Sequence, residues 1–99
     1  MKTIGIDMGG VIKVDSGEEE IPGSLDALRL LKKSYQIFIF TTHPDIARSW
    51  LERHAPDLLD LEITNIKHPA TAYIDDLGIR FTSWEDILKL LLKLRSRHV

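Results

Sequence analysis

Ninety-nine residues, 43% hydrophobic and 28% charged, are enough for one ordinary domain around one core, and leave no length for a second domain closing over a site. A net charge of −2 gives no bias towards nucleic acid or an anionic membrane, and the lack of cysteine removes disulfides, zinc–thiolate sites and a thiol nucleophile. The first apolar run stops at Asp7, which is unlike a secretory signal, and no run has transmembrane length; the expectation is a cytoplasmic protein without membrane contact.

The chain opens with Ile4-Gly5-Ile6-Asp7-Met8-Gly9-Gly10-Val11-Ile12, an apolar run ending in a carboxylate and two glycines. That pattern suits a buried parallel strand with a sharp exit. Residues 13–23 are polar and turn-rich, a loop or small hairpin, and Glu18, Glu19 and Glu20 read as a solvated edge. Ser24 is placed to cap a helix whose stripe is Leu25, Leu28 and Leu31, with Asp26 in its first turn and Lys32 and Lys33 in its last. Ile37-Phe38-Ile39-Phe40 is apolar on both faces, as a central parallel strand should be. It runs into Thr41-Thr42-His43-Pro44, and Pro44 suits the first turn of a helix burying Ile46, Ala47, Trp50 and Leu51. Residues 61–64 and 72–75 read as short strands, the second ending in Asp75-Asp76, and the alternation of Leu77, Ile79 and Phe81 suggests a last one. Ser83 with Asp86 three residues on is a variant capping box for a final helix. That helix would bury Ile87, Leu88, Leu91 and Leu94 and carry Lys93, Arg95 and Arg97 near its negative end. The basic tail lacks interleaved aromatics, so nucleic acid is not favoured as a partner.

Strands alternating with helices imply a mainly parallel sheet, and parallel strands deliver their last residues to one edge, where open α/β sheets bind ligands. Asp7, Thr41, Asp75 and Asp76 each follow an apolar strand, and Lys67 lies between the third and fourth strands. Clustered carboxylates call for a hard cation such as Mg²⁺. A cation, a lysine and a threonine together suit a phosphoryl group, which Asp7 could attack to form an aspartyl-phosphate. Backbone N–H groups beside Gly9, Gly10 and Thr42 are candidate oxygen-binding donors. Each residue also has a plainer reading: Asp7 and Asp75-Asp76 as turn residues, Thr41 as a cap, Lys67 as solvated.

In these motifs the chain resembles the haloacid dehalogenase superfamily. Asp7-Met8-Gly9-Gly10-Val11 stands where that family has Asp-x-Asp-x-(Thr/Val), followed in order by Thr41, Lys67 and Tyr73-Ile74-Asp75-Asp76. The stretch from Asp75 to Ile87 looks like small capless members of the family. The resemblance implies a three-layer Rossmann-like α/β fold without a cap domain and a Mg²⁺-dependent phosphohydrolase. It assigns Asp7 as nucleophile and metal ligand, the Gly9 carbonyl, Asp75 and Asp76 to the metal, and Thr41 and Lys67 to phosphate.

The family's second Asp, its general acid and base, is Gly9 here, and a glycine cannot protonate a leaving group. Asp15, His43 and His68 are the candidate replacements, although no spacing ties them to the leaving group. Two further readings stand beside the phosphatase: a degenerate relative that binds a phosphate or a partner without turnover, and a receiver-like phospho-acceptor. Receivers carry their acidic pair after the first strand, whereas here it follows a late one. A site without a cap suits a bulky or macromolecular phosphoester, or closure by a second subunit in a homo-oligomer.

Overall fold

A computed structural model describes residues 2–75 and 79–96, the last five by backbone alone. The sequence readings on Asp76, Leu77 and Arg97, and on the side chains of Lys93, Leu94 and Arg95, lie outside the described residues. Among the described residues five strands and three α-helices follow in the order β1 (Thr3–Asp7), α1 (Ser24–Leu31), β2 (Gln36–Phe40), α2 (Pro44–His54), β3 (Glu62–Thr64), β4 (Ala72–Asp75), β5 (Ile79–Arg80) and α3 (Trp84–Ser96), alternating as far as β3. The sheet is open, with order β3-β2-β1-β4-β5, and every pairing is parallel. This is the Rossmann-like three-layer α/β arrangement expected from the strand–helix alternation, and no cap domain stands over the sheet among the described residues. No helix is long and apolar enough to cross a membrane among the described residues.

Side-chain alternation assigns the two faces of the sheet. Ile4, Ile6, Ile37, Ile39 and Ile74 share one face, because Ile4 pairs with Ile37 and Ile6 with both Ile39 and Ile74. They join Leu25, Leu28, Trp50, Leu51, Trp84 and Ile87 in the main core. The other face carries Gly5, Phe38 and Tyr73, which are also in register. Phe38 is buried but lies outside the main core. Its contacts are with Tyr73, edge-on at 5.8 Å between ring centroids, and with His68 of the β3–β4 connection at 5.3 Å. That connection therefore forms the covering layer on this side. Gly5 has no side chain because a Cβ there would stand 2.5 Å from the Tyr73 ring and 2.7 Å from Phe38.

Two local expectations differ from the structure. Ser24 does not cap α1. Gly23 precedes the helix in a left-handed conformation (φ 81°), and the buried Ser24 hydroxyl donates to the Ile12 carbonyl at 2.8 Å. Ile46 is exposed, whereas Ala47, Trp50 and Leu51 are buried as expected. Ser83 does cap the last helix, accepting the Asp86 N–H at 3.1 Å, but the Asp86 carboxylate turns to the Thr82 hydroxyl at 2.9 Å.

Candidate active site at the carboxyl edge of the sheet

The carboxyl ends of β1, β2 and β4 stand side by side. Asp7 pairs with Phe40, and Asp75 follows Ile74, the partner of Ile6. Adjacent strands lie about 4.8 Å apart, and residues in register share a face, so Asp7 is flanked by Phe40 and Asp75. The Met8 N–H donates to Asp7 Oδ1 at 2.9 Å and fixes that carboxylate against its own turn. Lys67 reaches the same edge from the β3–β4 connection. Its ammonium lies 3.3 Å from Asp75 Oδ2, 4.8 Å from the Tyr73 ring centroid and 5.6 Å from that of Phe40. The side chain of Asp75 is only 14% exposed, and that of Lys67 is 45% exposed. A half-exposed ion pair contributes at most about 1 kcal/mol, so its consequence here is placement: a cation held across the end of β1.

An open cleft of about 450 Å³ adjoins this edge, lined among others by Asp7, Gly9, Asp15, Thr41, Thr42 and His43. Thr41 is held by its N–H to the Thr64 carbonyl at 2.9 Å, and its hydroxyl accepts the His43 N–H at 3.2 Å. Thr42 is exposed at the mouth. A second cleft, of about 520 Å³, lies at the opposite end of the sheet, near Thr3 and Gln36, where β1 and β2 begin. The larger volume is remote from the clustered functional groups, and open α/β sheets use the carboxyl end.

The turn after β1 carries the remaining residue of interest. Gly10 has φ 77°, a conformation that favours glycine, and its N–H donates to the Lys13 carbonyl at 2.7 Å. The chain then forms a small hairpin, with a bridge between Lys13 and Glu20, and Val14 N–H donating to Glu19 O at 2.9 Å. The Lys13 ammonium closes it, donating to the Val14 and Gly17 carbonyls at 2.8 and 3.0 Å. This hairpin folds Asp15 back onto the glycines. Asp15 Oδ1 occupies the space where a Cβ on Gly9 would stand, and Oδ2 lies 3.6 Å from the corresponding position on Gly10. The glutamates were expected to be a solvated edge, yet Glu18 anchors the hairpin. Its carbonyl accepts the Trp50 indole N–H at 2.8 Å, and its carboxylate pairs with Arg53 at 2.9 Å. Hydrogen bonding from Arg53, and then from His54, holds the Glu18 carboxyl below its ordinary value.

The structure thus brings Asp7, Gly9, Thr41 and Thr42 around one cleft, leaves Gly10 out of its lining, and sets the Lys67–Asp75 pair at the adjoining strand end. His68 does not join them: it packs on Phe38 and bonds Glu62 at 2.8 Å. Asp7 and Asp75 carry oxygen donors, the type a hard cation such as Mg²⁺ takes, and the Lys67 ammonium already stands against Asp75. Among the described residues no group of three or more His, Asp or Glu is gathered for a metal, and Asp76, expected as a further ligand, lies outside them.

No protein-family model matches the chain, and no curated protein matches it significantly. Among solved structures, a conserved protein from Bacteroides thetaiotaomicron is similar, with a TM-score of 0.74 and 19% identity over 93% of this chain and 90% of that one. At that identity the similarity concerns the fold.

Proposed function

We propose that this protein is a Mg²⁺-dependent phosphohydrolase of the haloacid dehalogenase type, acting on phosphomonoesters through an aspartyl-phosphate on Asp7. The observation that carries the reading is the meeting of Asp7, Thr41, Thr42 and the Lys67–Asp75 pair at one sheet edge, from four separate parts of the chain. Mg²⁺ held by Asp7, Asp75, Asp76 and the Gly9 carbonyl would neutralise phosphoryl charge. The Asp7 carboxylate, fixed by the Met8 N–H, attacks phosphorus and displaces the alcohol; water then cleaves the acyl-phosphate and returns Asp7. Thr41 and Thr42 offer hydroxyl and backbone donors to the phosphoryl oxygens, and Lys67 offers a charge. The cleft is open, which favours a bulky or macromolecular phosphoester, or closure by a second copy of the chain, in the cytoplasm.

Glycine at position 9 supports a second reading, a phosphate- or partner-binding domain without turnover. Phosphate release from a panel of phosphoesters, with Mg²⁺ and with EDTA, separates the two. The proposal expects metal-dependent release that Asp7→Asn abolishes while its melting temperature stays within a few degrees of wild type. Release that EDTA leaves unchanged, or an active Asp7→Asn protein, would overturn it.

A further inference from the structure

Departure of an alkoxide from phosphorus requires a proton, and that proton must come from a group facing the cleft beside Asp7. The ionisable side chains lining this cleft are Asp7, Lys13, Asp15 and His43. His43, at the entry to α2, is not among the groups that meet Gly9, whereas Asp15 is. Asp7 is engaged by the Met8 N–H and is the attacking group in the reading above. The Lys13 ammonium is committed to the Val14 and Gly17 carbonyls. Asp15 is different. It is exposed to solvent, it is delivered by a closed hairpin, and its carboxylate lies in the volume that a side chain on Gly9 would fill.

We infer that Asp15 is the proton donor and acceptor of this site, a catalytic carboxylate supplied to position 9 from six residues further along the chain. The inference rests on the phosphohydrolase reading of Asp7. It also explains why residue 9 is glycine on grounds other than backbone conformation: Gly10 and Gly23 have positive φ among the described glycines, and Gly9 does not. The backbone tolerates a side chain there, but its Cβ would displace the Asp15 carboxylate from the place it holds against Gly9.

The steps balance. Asp7 Oδ forms a bond to phosphorus, the bond from phosphorus to the ester oxygen breaks, and that oxygen leaves as the alcohol with the Asp15 proton. Asp15, now a carboxylate, takes a proton from water as the water oxygen attacks phosphorus. The bond from phosphorus to Asp7 breaks, giving inorganic phosphate, a free Asp7 carboxylate and a reprotonated Asp15. One water is consumed for each ester.

The hairpin makes the placement specific. Glu18 is tied to α2 through Trp50 and Arg53, and Lys13 is bridged to Gly9 on one side and Glu20 on the other. Asp15 therefore lies between two anchored points rather than on a free loop, which is what a proton-transfer group requires.

The test compares an alkyl phosphate with p-nitrophenyl phosphate, whose leaving group departs without a proton. The readout is the ratio of their kcat/KM values, which reports the step that expels the leaving group. Asp15→Asn is expected to shift that ratio against the alkyl ester by about 10²-fold, the lower end of general acid catalysis. Gly9→Ala should shift it the same way although it removes no ionisable group, because its Cβ displaces the Asp15 carboxylate. Gly9→Asp combined with Asp15→Asn should restore much of the ratio by returning a carboxylate to the same volume. An active wild-type protein whose ratio is unchanged in Asp15→Asn, or unchanged in Gly9→Ala, overturns the role of Asp15 and leaves the Asp7 reading standing. A wild-type protein that turns over neither ester with Mg²⁺ overturns both.

Discussion

Replacing Gly5 by alanine is the sharpest test of how the second face of the sheet is built. The new Cβ would stand 2.5 and 2.6 Å from two ring carbons of Tyr73 and 2.7 Å from Phe38 Cζ. Carbon atoms in ordinary contact sit about 3.5–4.0 Å apart, so the rings must retreat by about 1 Å. Neither has a free path. Phe38 is 3% exposed and held between Tyr73 and His68, and the Tyr73 ring lies under the Lys67 ammonium. Overpacking of this kind costs about 1–3 kcal/mol. Taking about 2 kcal/mol, a domain of this size should melt about 8–16 °C lower. Urea and thermal unfolding would measure the loss. In a Tyr73→Ala background Gly5→Ala should cost at least about 0.5 kcal/mol less, since the pair is in contact. A Gly5→Ala protein that melts with wild type, or costs that add with no coupling, would refute the close approach of ring and backbone.

Other outcomes follow from the same geometry. Among the described residues the Tyr73 hydroxyl is buried with no hydrogen-bond partner; Tyr73→Phe should therefore leave the melting temperature unchanged or raise it, and a clear drop would reveal a hidden partner. Millimolar Mg²⁺ should raise the melting temperature of wild type and not of Asp75→Asn, measured by scanning fluorimetry. In acid, the Asp57 carboxyl is held below its ordinary value by hydrogen bonds from Arg29, and Glu18 likewise by Arg53. Both are depressed, so their stabilisation is present above the ordinary carboxylate range and is lost as pH falls through their lowered values. Asp57→Asn should accordingly flatten the acid limb of the stability profile, and a limb as steep as wild type would show that this pair contributes nothing.

Much of the edge was legible because strand ends are marked locally. The apolar runs before Asp7, Thr41 and Asp75 show where each strand stops, and parallel pairing brings those ends together without further information. The placement of Lys67 followed from its position between β3 and β4, and it does reach Asp75. Asp15 was only one of three candidates, because nothing near it in sequence says that the hairpin folds onto Gly9. That depends on the Gly10 turn, the Lys13–Glu20 bridge and the Trp50 anchor 32 residues from Glu18. The signal available was a glycine where a carboxylate was expected, with an Asp a few residues further on in a turn-rich stretch. Ser24 failed as a cap for a similar reason. Its hydroxyl is taken by the Ile12 carbonyl, a partner that local propensity does not reveal, and the glycine before it supplies the helix entry.

The central claim is that Asp7 becomes phosphorylated. Wild-type protein mixed with Mg²⁺ and a radiolabelled phosphoester, quenched in acid within one turnover and mapped by peptide, tests it most directly. The account predicts label on the peptide containing Asp7, released by hydroxylamine as an acyl-phosphate should be, and absent from Asp7→Asn. Phosphate released without any labelled protein, or label retained in Asp7→Asn, would contradict it.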